Sequence, residues 1–220
     1  MIVVVTAAIG TTETPPPPPF VDTAAIRYVC ASDRDRDVQG WEPWPVAAFE
    51  PRRGARAVKM QAPAMFHGDT VIWCDASFDW IASPEKLAEV SSGMNCDLAA
   101  FAHPDRQRMT QEANEVIRCG LAPYEDVRRQ VLAYRLDGFD TDAHPQRALT
   151  TTGLIVFGTK VAEFMRVWRE QIDTFTLRDQ LSVDYAAWKT GVRIGYLAGH
   201  YRSNAFVSYN RDRHRRRRAA

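Results

Sequence analysis

Thr70-Val71-Ile72-Trp73-Cys74-Asp75-Ala76-Ser77-Phe78-Asp79 is an apolar run that stops at a carboxylate. A short run rich in β-branched and aromatic residues, with a polar stop, reads as a strand covered on both faces. The stretch therefore predicts a central strand over 70–75. In open parallel sheets ligands collect beyond the carboxyl ends of the strands. Asp75 is thus expected at a binding edge, with Ser77 and Asp79 at alternate positions after it. Carboxylates in such a place suit a hard divalent cation, which in turn neutralises a diphosphate. An Asp that closes a strand also reads as a plain turn or capping residue.

Upstream, Val3 to Thr6 and Ile26 to Cys30 are β-branched runs followed by small or polar residues, and both predict central strands. Between them Pro15-Pro16-Pro17-Pro18-Pro19 has no N–H to give a sheet and favours polyproline II geometry, so it predicts a stiff crossover. Arg53 to Phe66 carries apolar residues at helical spacing, with Pro63 expected to kink or end the helix.

Downstream, Ser83 and Pro84 supply an N-cap and first-turn residue for a helix toward Val90. A strand is predicted from Asp97 to Ala102, with helices from Thr110 to Arg118 and from Tyr124 to Asp137, the second ended by Gly138. Gly153 to Phe157 predicts a strand, Val161 to Ile172 an amphipathic helix, the region of Leu181, Tyr185 and Trp188 another helix, and Val192 to Leu197 a last strand. Strands alternating with helices imply an α/β fold with a mostly parallel sheet flanked by helices.

Bulk properties agree with one domain. The chain has 220 residues, 45% hydrophobic and 25% charged, as ordinary globular proteins do. No apolar run approaches the roughly 20 residues that span a bilayer, and Met1 to Val5 lacks the basic leader and cleavage site of a signal peptide. Cys30, Cys74, Cys96 and Cys119 form no C-x-x-C pair, so a reduced, cytoplasmic setting is expected. The net charge is +1, yet the last ten residues hold six Arg and one Asp, which leaves about −4 on the rest. The expected organisation is a domain over 1–205 and a flexible basic tail over 206–220. Such a tail reads as a contact for nucleic acid or anionic lipid or, the reading taken here, as a solvated terminus, so that no nucleic-acid partner is expected.

Other strand ends and helix starts supply the remaining candidates. Asp33 ends the second strand, where it reads either as a solvated turn or as an acceptor for a ribose or base edge. Arg56 and Lys59, three apart, put two cations on one helix face for phosphate oxygens or for solvent. Arg178-Asp179-Gln180 precedes a helix, so Asp179 is open to three readings: N-cap, ligand of sugar hydroxyls, or base toward an acceptor. His200 follows the last strand and reads as a structural residue or as a metal ligand.

The order of these pieces resembles a glycosyltransferase-like family of plant and bacterial proteins of the TOD/MUCI-like type. The matching stretches are Val5-Thr6-Ala7 with Gly10, Cys30-Ala31-Ser32-Asp33, Pro51-Arg52-Arg53 with Arg56 and Lys59, and Trp73-Cys74-Asp75-Ala76. They continue with Phe101-Ala102-His103-Pro104 and Arg106, Glu112-Ala113, Arg129-Gln130-Val131 and Tyr134, Gly138-Phe139, and Arg178-Asp179-Gln180-Leu181-Ser182. The resemblance implies a GT-A-type fold. It places Thr6, Ala7 and Asp33 near the nucleoside, Arg56 and Lys59 near the nucleotide, and Asp75 at a Mn²⁺ or Mg²⁺ ion.

In the same resemblance Asp179 and Gln180 touch the donor sugar, and His200 corresponds to a late metal-binding histidine. Ser77 departs from it, because a D-x-D motif would have a second carboxylate there. The expected activity is transfer of a sugar from a nucleoside diphosphate sugar to a carbohydrate or glycoconjugate acceptor. The alternatives are a nucleotide- or carbohydrate-binding protein without turnover, a sugar-nucleotide hydrolase, or a nucleotidyltransferase.

Overall fold

The computed structural model describes residues 1–11, 14–20, 25–34, 38–47, 50–142 and 148–213. In chain order the strands are β1 (Ile2–Ala8), β2 (Ile26–Ser32), β3 (Glu42–Pro45), β4 (Thr70–Cys74), β5 (Phe78–Trp80), β6 (Leu98–Ala102), β7 (Thr150–Phe157), β8 (Ile194–Tyr196) and β9 (Val207–Tyr209). The helices are α1 (Pro51–Met65), α2 (Pro84–Ser92), α3 (Met109–Arg118), α4 (Tyr124–Leu136), α5 (Ala162–Thr174) and α6 (Val183–Thr190), with a 3₁₀ turn at Asp179–Leu181.

The main sheet runs β3-β2-β1-β4-β7-β6-β8. β1 pairs in parallel with β2 and β4, β2 with β3, and β6 with β8, while β7 is antiparallel to both of its neighbours. The sheet is mostly parallel, as the alternating sequence pattern predicts, with one reversed strand, β7, inside it that the pattern does not foresee. The smaller sheet, β5 with β9, is antiparallel.

Strand alternation divides the core. Val3, Val5, Val71 and Trp73 face α1 and α5, packing with Val58, Phe164 and Trp168. Val4, Ile72 and Cys74 face the other way, packing with Leu87 of α2 and with Phe78, Trp80 and Val207 of the small sheet. A third cluster joins α3, α4, Leu181 and Tyr185.

α1 runs through Pro63 to Met65, next to Phe66, where the helical spacing is expected to end. Pro63 lies in the last turn, where its missing N–H costs only one bond, to the Lys59 carbonyl. Two expectations change. The helix expected near Leu181 is split into the 3₁₀ turn and α6. The body does not end at 205: Phe206 and Val207 are buried and β9 pairs with β5. Residues 211–213 are helical, and the remainder of the basic tail lies outside the described residues. No helix among them is long and apolar enough to cross a membrane.

Candidate functional site

A crevice of about 400 Å³ opens beyond the carboxyl ends of β1 and β4. Ala7, Ile9 and Gly10 form its floor, the first turns of α1 supply Arg52 and Arg56, Asp75 and Ser77 follow β4, and Arg178 enters from the far side. The α3–α4 connection, Leu121 to Pro123, walls it.

Local chemistry fixes these positions. Glu50 caps α1 by accepting from the Arg52 and Arg53 N–H groups at 3.2 and 2.8 Å, with Pro51 at the first helical position. Gly10 has φ +66°, and a Cβ there would collide with the Pro51 ring. Its N–H donates to Asp33 Oδ2 at 3.0 Å, which ties the end of β2 to the loop after β1. Asp33 Oδ1 is buried with no hydrogen-bond partner among the described residues.

Beneath the crevice lies a buried charge chain. Lys59 is fully enclosed, and its Nζ donates to Asp179 Oδ2 at 2.6 Å and to the Thr152 carbonyl at 2.8 Å. The same ammonium is 4.0 Å from Asp75 Oδ1 and 5.0 Å from the centre of the Trp73 ring. Arg56 Nε pairs with Asp179 Oδ1 at 3.2 Å, an ion pair without the alignment of a hydrogen bond. Trp168 Nε1 donates to the Asp179 carbonyl at 3.1 Å. Burial pushes the Asp179 carboxyl up, but Arg56, Lys59 and Arg178 outweigh it and hold the group well below the usual carboxylate range.

Asp75 is the half-exposed end of this chain. Its Oδ1 accepts from Trp73 Nε1 at 2.7 Å, and its backbone N–H donates to the Gly153 carbonyl at 2.7 Å. Its Oδ2 has no hydrogen-bond partner among the described residues and remains available to a ligand.

The structure brings Ala7, Arg56, Asp75 and Ser77 to the crevice. Lys59 and Asp179 lie behind it, and Gln180, half-buried beside Asp179, is not among the residues that line it. Thr6 and Ala7 point to opposite faces, because neighbours on a strand must. Thr6 lines a separate, smaller cavity instead. Asp33 sits behind Gly10 at a third hollow, with Trp44. His200 lies in a turn closed on Ser203, its Nδ1 accepting from the Arg202 N–H at 3.2 Å, and is not part of the crevice wall.

Asp79 is also committed elsewhere: Arg213 Nη1 binds its Oδ1 at 2.9 Å, and Asn210 reaches Oδ2. Among the described residues no cluster of three or more His, Cys, Asp or Glu forms a metal cage. The oxygen-bearing side chains that line the crevice include Asp75, Asp126, Thr11, Ser77 and Thr176. The free Asp75 Oδ2 with the neighbouring Ser77 hydroxyl is the set that would hold a Mg²⁺ or Mn²⁺ ion there.

Sequence reasoning passed over Arg52 and Arg178 as lining groups. The capping Glu50 was the available signal for Arg52, since a cap fixes where the first helical turn points. Arg178 gave no periodic signal, because it precedes a turn; its place in the matching stretch Arg178-Asp179-Gln180 was the available one.

A model of the family described as "TOD1/MUCI70, glycosyltransferase-like domain" matches residues 50–209. No curated protein matches the chain. Among solved structures, similarity extends to the apo form of the bifunctional glycosyltransferase WbbM, at 12% identity over 89% of this chain and 38% of that one, with a TM-score of 0.47. It extends also to the apo glycosyltransferase GlyE of Streptococcus pneumoniae TIGR4, at 8% identity over 88% of this chain and 44% of that one, with a TM-score of 0.45. The chain spans about two fifths of the length of these two proteins.

Proposed function

We propose, from the premise that the chain belongs to the TOD1/MUCI70 glycosyltransferase-like family, that it transfers a sugar from a nucleoside diphosphate sugar to a carbohydrate or glycoconjugate acceptor. The observation that carries this reading is the convergence of Arg52, Arg56 and Arg178 with Asp75 on one crevice of about 400 Å³. Arginine matches phosphate oxygens with a planar fork and stays charged at every relevant pH. A crevice with three such groups, two from the first turns of α1 and one from the residue before the 3₁₀ turn, suits a diphosphate.

In the transfer, the bond from the anomeric carbon to the diphosphate oxygen breaks, and its electron pair leaves on the diphosphate. An acceptor hydroxyl oxygen bonds to that carbon, and its proton passes to the departing diphosphate. Of the two carboxylates on the crevice wall, Asp126 pairs with Arg129 at 3.2 Å, while Asp75 accepts from Trp73 through Oδ1 and keeps Oδ2 for a metal ion. Asp179 is enclosed and paired with two cations, so its part is to position Arg56 rather than to take a proton. A divalent ion held by Asp75 Oδ2 and the diphosphate would add positive charge where the leaving group develops its negative charge.

Binding is the direct test. Calorimetric titration with UDP, GDP, ADP and CDP, with and without Mn²⁺, should find one that binds to the wild type and binds at least tenfold more weakly to Arg56→Gln. Absence of binding by all of them would sink the reading. Binding without consumption of any nucleoside diphosphate sugar would favour a non-catalytic binding protein, to which the lone carboxylate of the Asp75–Ser77 segment also lends support.

A further inference from the structure

We propose that a second cavity, across Asp75 from the crevice, holds a sugar ring of the acceptor; this rests on the transferase reading and names where its second substrate sits. The cavity encloses about 170 Å³ and shares Asp75 and Ala76 with the donor crevice. It lies on the opposite face of the sheet end, because Thr6 and Cys74 point away from the side that Ala7 and Trp73 take.

Its walls combine aromatic rings with unspent polar groups. Trp41, Phe78 and Trp80 line it, and the run Pro15 to Pro19 closes one side. Thr6 Oγ1 and Trp80 Nε1 are buried and have no hydrogen-bond partner among the described residues. Leaving such groups unpaired costs about 1–3 kcal/mol each. Trp41 shows the contrast, since its Nε1 donates to the Pro16 carbonyl at 2.9 Å. That bond holds the prolines, and Gly40 leaves room for them: its φ is +76° and a Cβ there would stand 2.8 Å from Pro18 Cδ.

The ligand class follows from these groups. An indole N–H only donates, whereas a threonine hydroxyl donates and accepts, so the occupant must offer oxygens that do both. Asp79 is neutralised by Arg213 at 2.9 Å, and Asp75 remains on the wall and disfavours an anion. A neutral ring with hydroxyl groups on its rim and C–H groups on its faces satisfies the polar atoms and the aromatic rings together. A pyranose meets that description. From there a hydroxyl group faces the donor crevice across Asp75 and Ala76, the residues both cavities share.

Saturation-transfer NMR with methyl glycosides of glucose, galactose, mannose and xylose tests this, on protein alone and with saturating nucleoside diphosphate. The variants are Thr6→Val and Trp80→Phe. The first removes an unpaired hydroxyl at constant shape and is expected to leave thermal stability unchanged or raised. At least one glycoside should bind the wild type and bind at least fivefold more weakly to each variant, with nucleoside diphosphate affinity kept within twofold. Glycoside binding untouched in both variants, or nucleotide binding with no glycoside binding, overturns the acceptor site alone. Failure of both ligands to bind overturns the transferase reading with it.

Discussion

Removing the Lys59 ammonium leaves Asp179 enclosed with Arg56 as its nearest remaining cation. Breaking a buried pair from one side costs about 3–5 kcal/mol, because a charge remains without compensation. Lys59→Met is therefore expected to lower the unfolding free energy by that amount in urea denaturation. The double change with Asp179→Leu should recover part of it; no recovery would mean that the two residues do not act as a pair. His103 governs a second, pH-linked effect. Burial and the neighbouring Arg106 push its imidazole down to about 4 from 6.5. A depressed pKa means that folding favours the neutral ring, so this stability is complete above pH 6.5 and is lost as pH falls toward 4. The loss should be on the order of 2–3 kcal/mol. Urea titrations at pH 7.5 and 4.5 should show it in the wild type and show a smaller loss in His103→Gln. Asp179, also depressed, adds its own loss only below about pH 4. At this scale the sequence showed that Arg56 and Lys59 share a helix face, and both reach Asp179. Their difference in depth was hidden, because burial depends on Trp73 and Trp168, which arrive from β4 and α5.

Gly10 sets where α1 begins relative to β1. Any side chain there meets Pro51 and strains a left-handed backbone, at roughly 1–3 kcal/mol. Gly10→Ala should displace the first turn of α1, carrying Arg52 and Arg56 with it. A fall of at least tenfold in nucleoside diphosphate affinity, measured by calorimetry, is the expected result; unchanged affinity would show that the helix start tolerates the shift. The long elements were legible: β1, β2, β4, β6 and the main helices lie within a few residues of where periodicity puts them. β3, β5 and β9 were not, for a physical reason. β3 is Glu42–Pro45, an edge strand with two prolines and no β-branched residue, and β5 and β9 have three residues each. Strands this short exist only through pairing, and pairing is not local information.

The whole molecule depends on its C-terminal return. Val207–Tyr209 completes the small sheet, Phe206 and Val207 are buried, and Arg213 neutralises Asp79. A chain ending at 205 should lose roughly 3–5 kcal/mol relative to one ending at 213, since two apolar side chains and a strand pairing go with it. Chemical denaturation of the two lengths decides it, and equal stability would show that β5 holds without β9. The sheet order has another consequence, which concerns synthesis. β7, the reversed strand that separates β4 from β6, is drawn from Thr150–Phe157. While the chain is being translated, the apolar edge of β4 thus waits for some eighty residues before its partner leaves the ribosome. Open apolar edges are templates for association between chains. A fragment that stops before β7 leaves that edge of β4 unpaired and is consequently expected to aggregate rather than fold into a smaller domain.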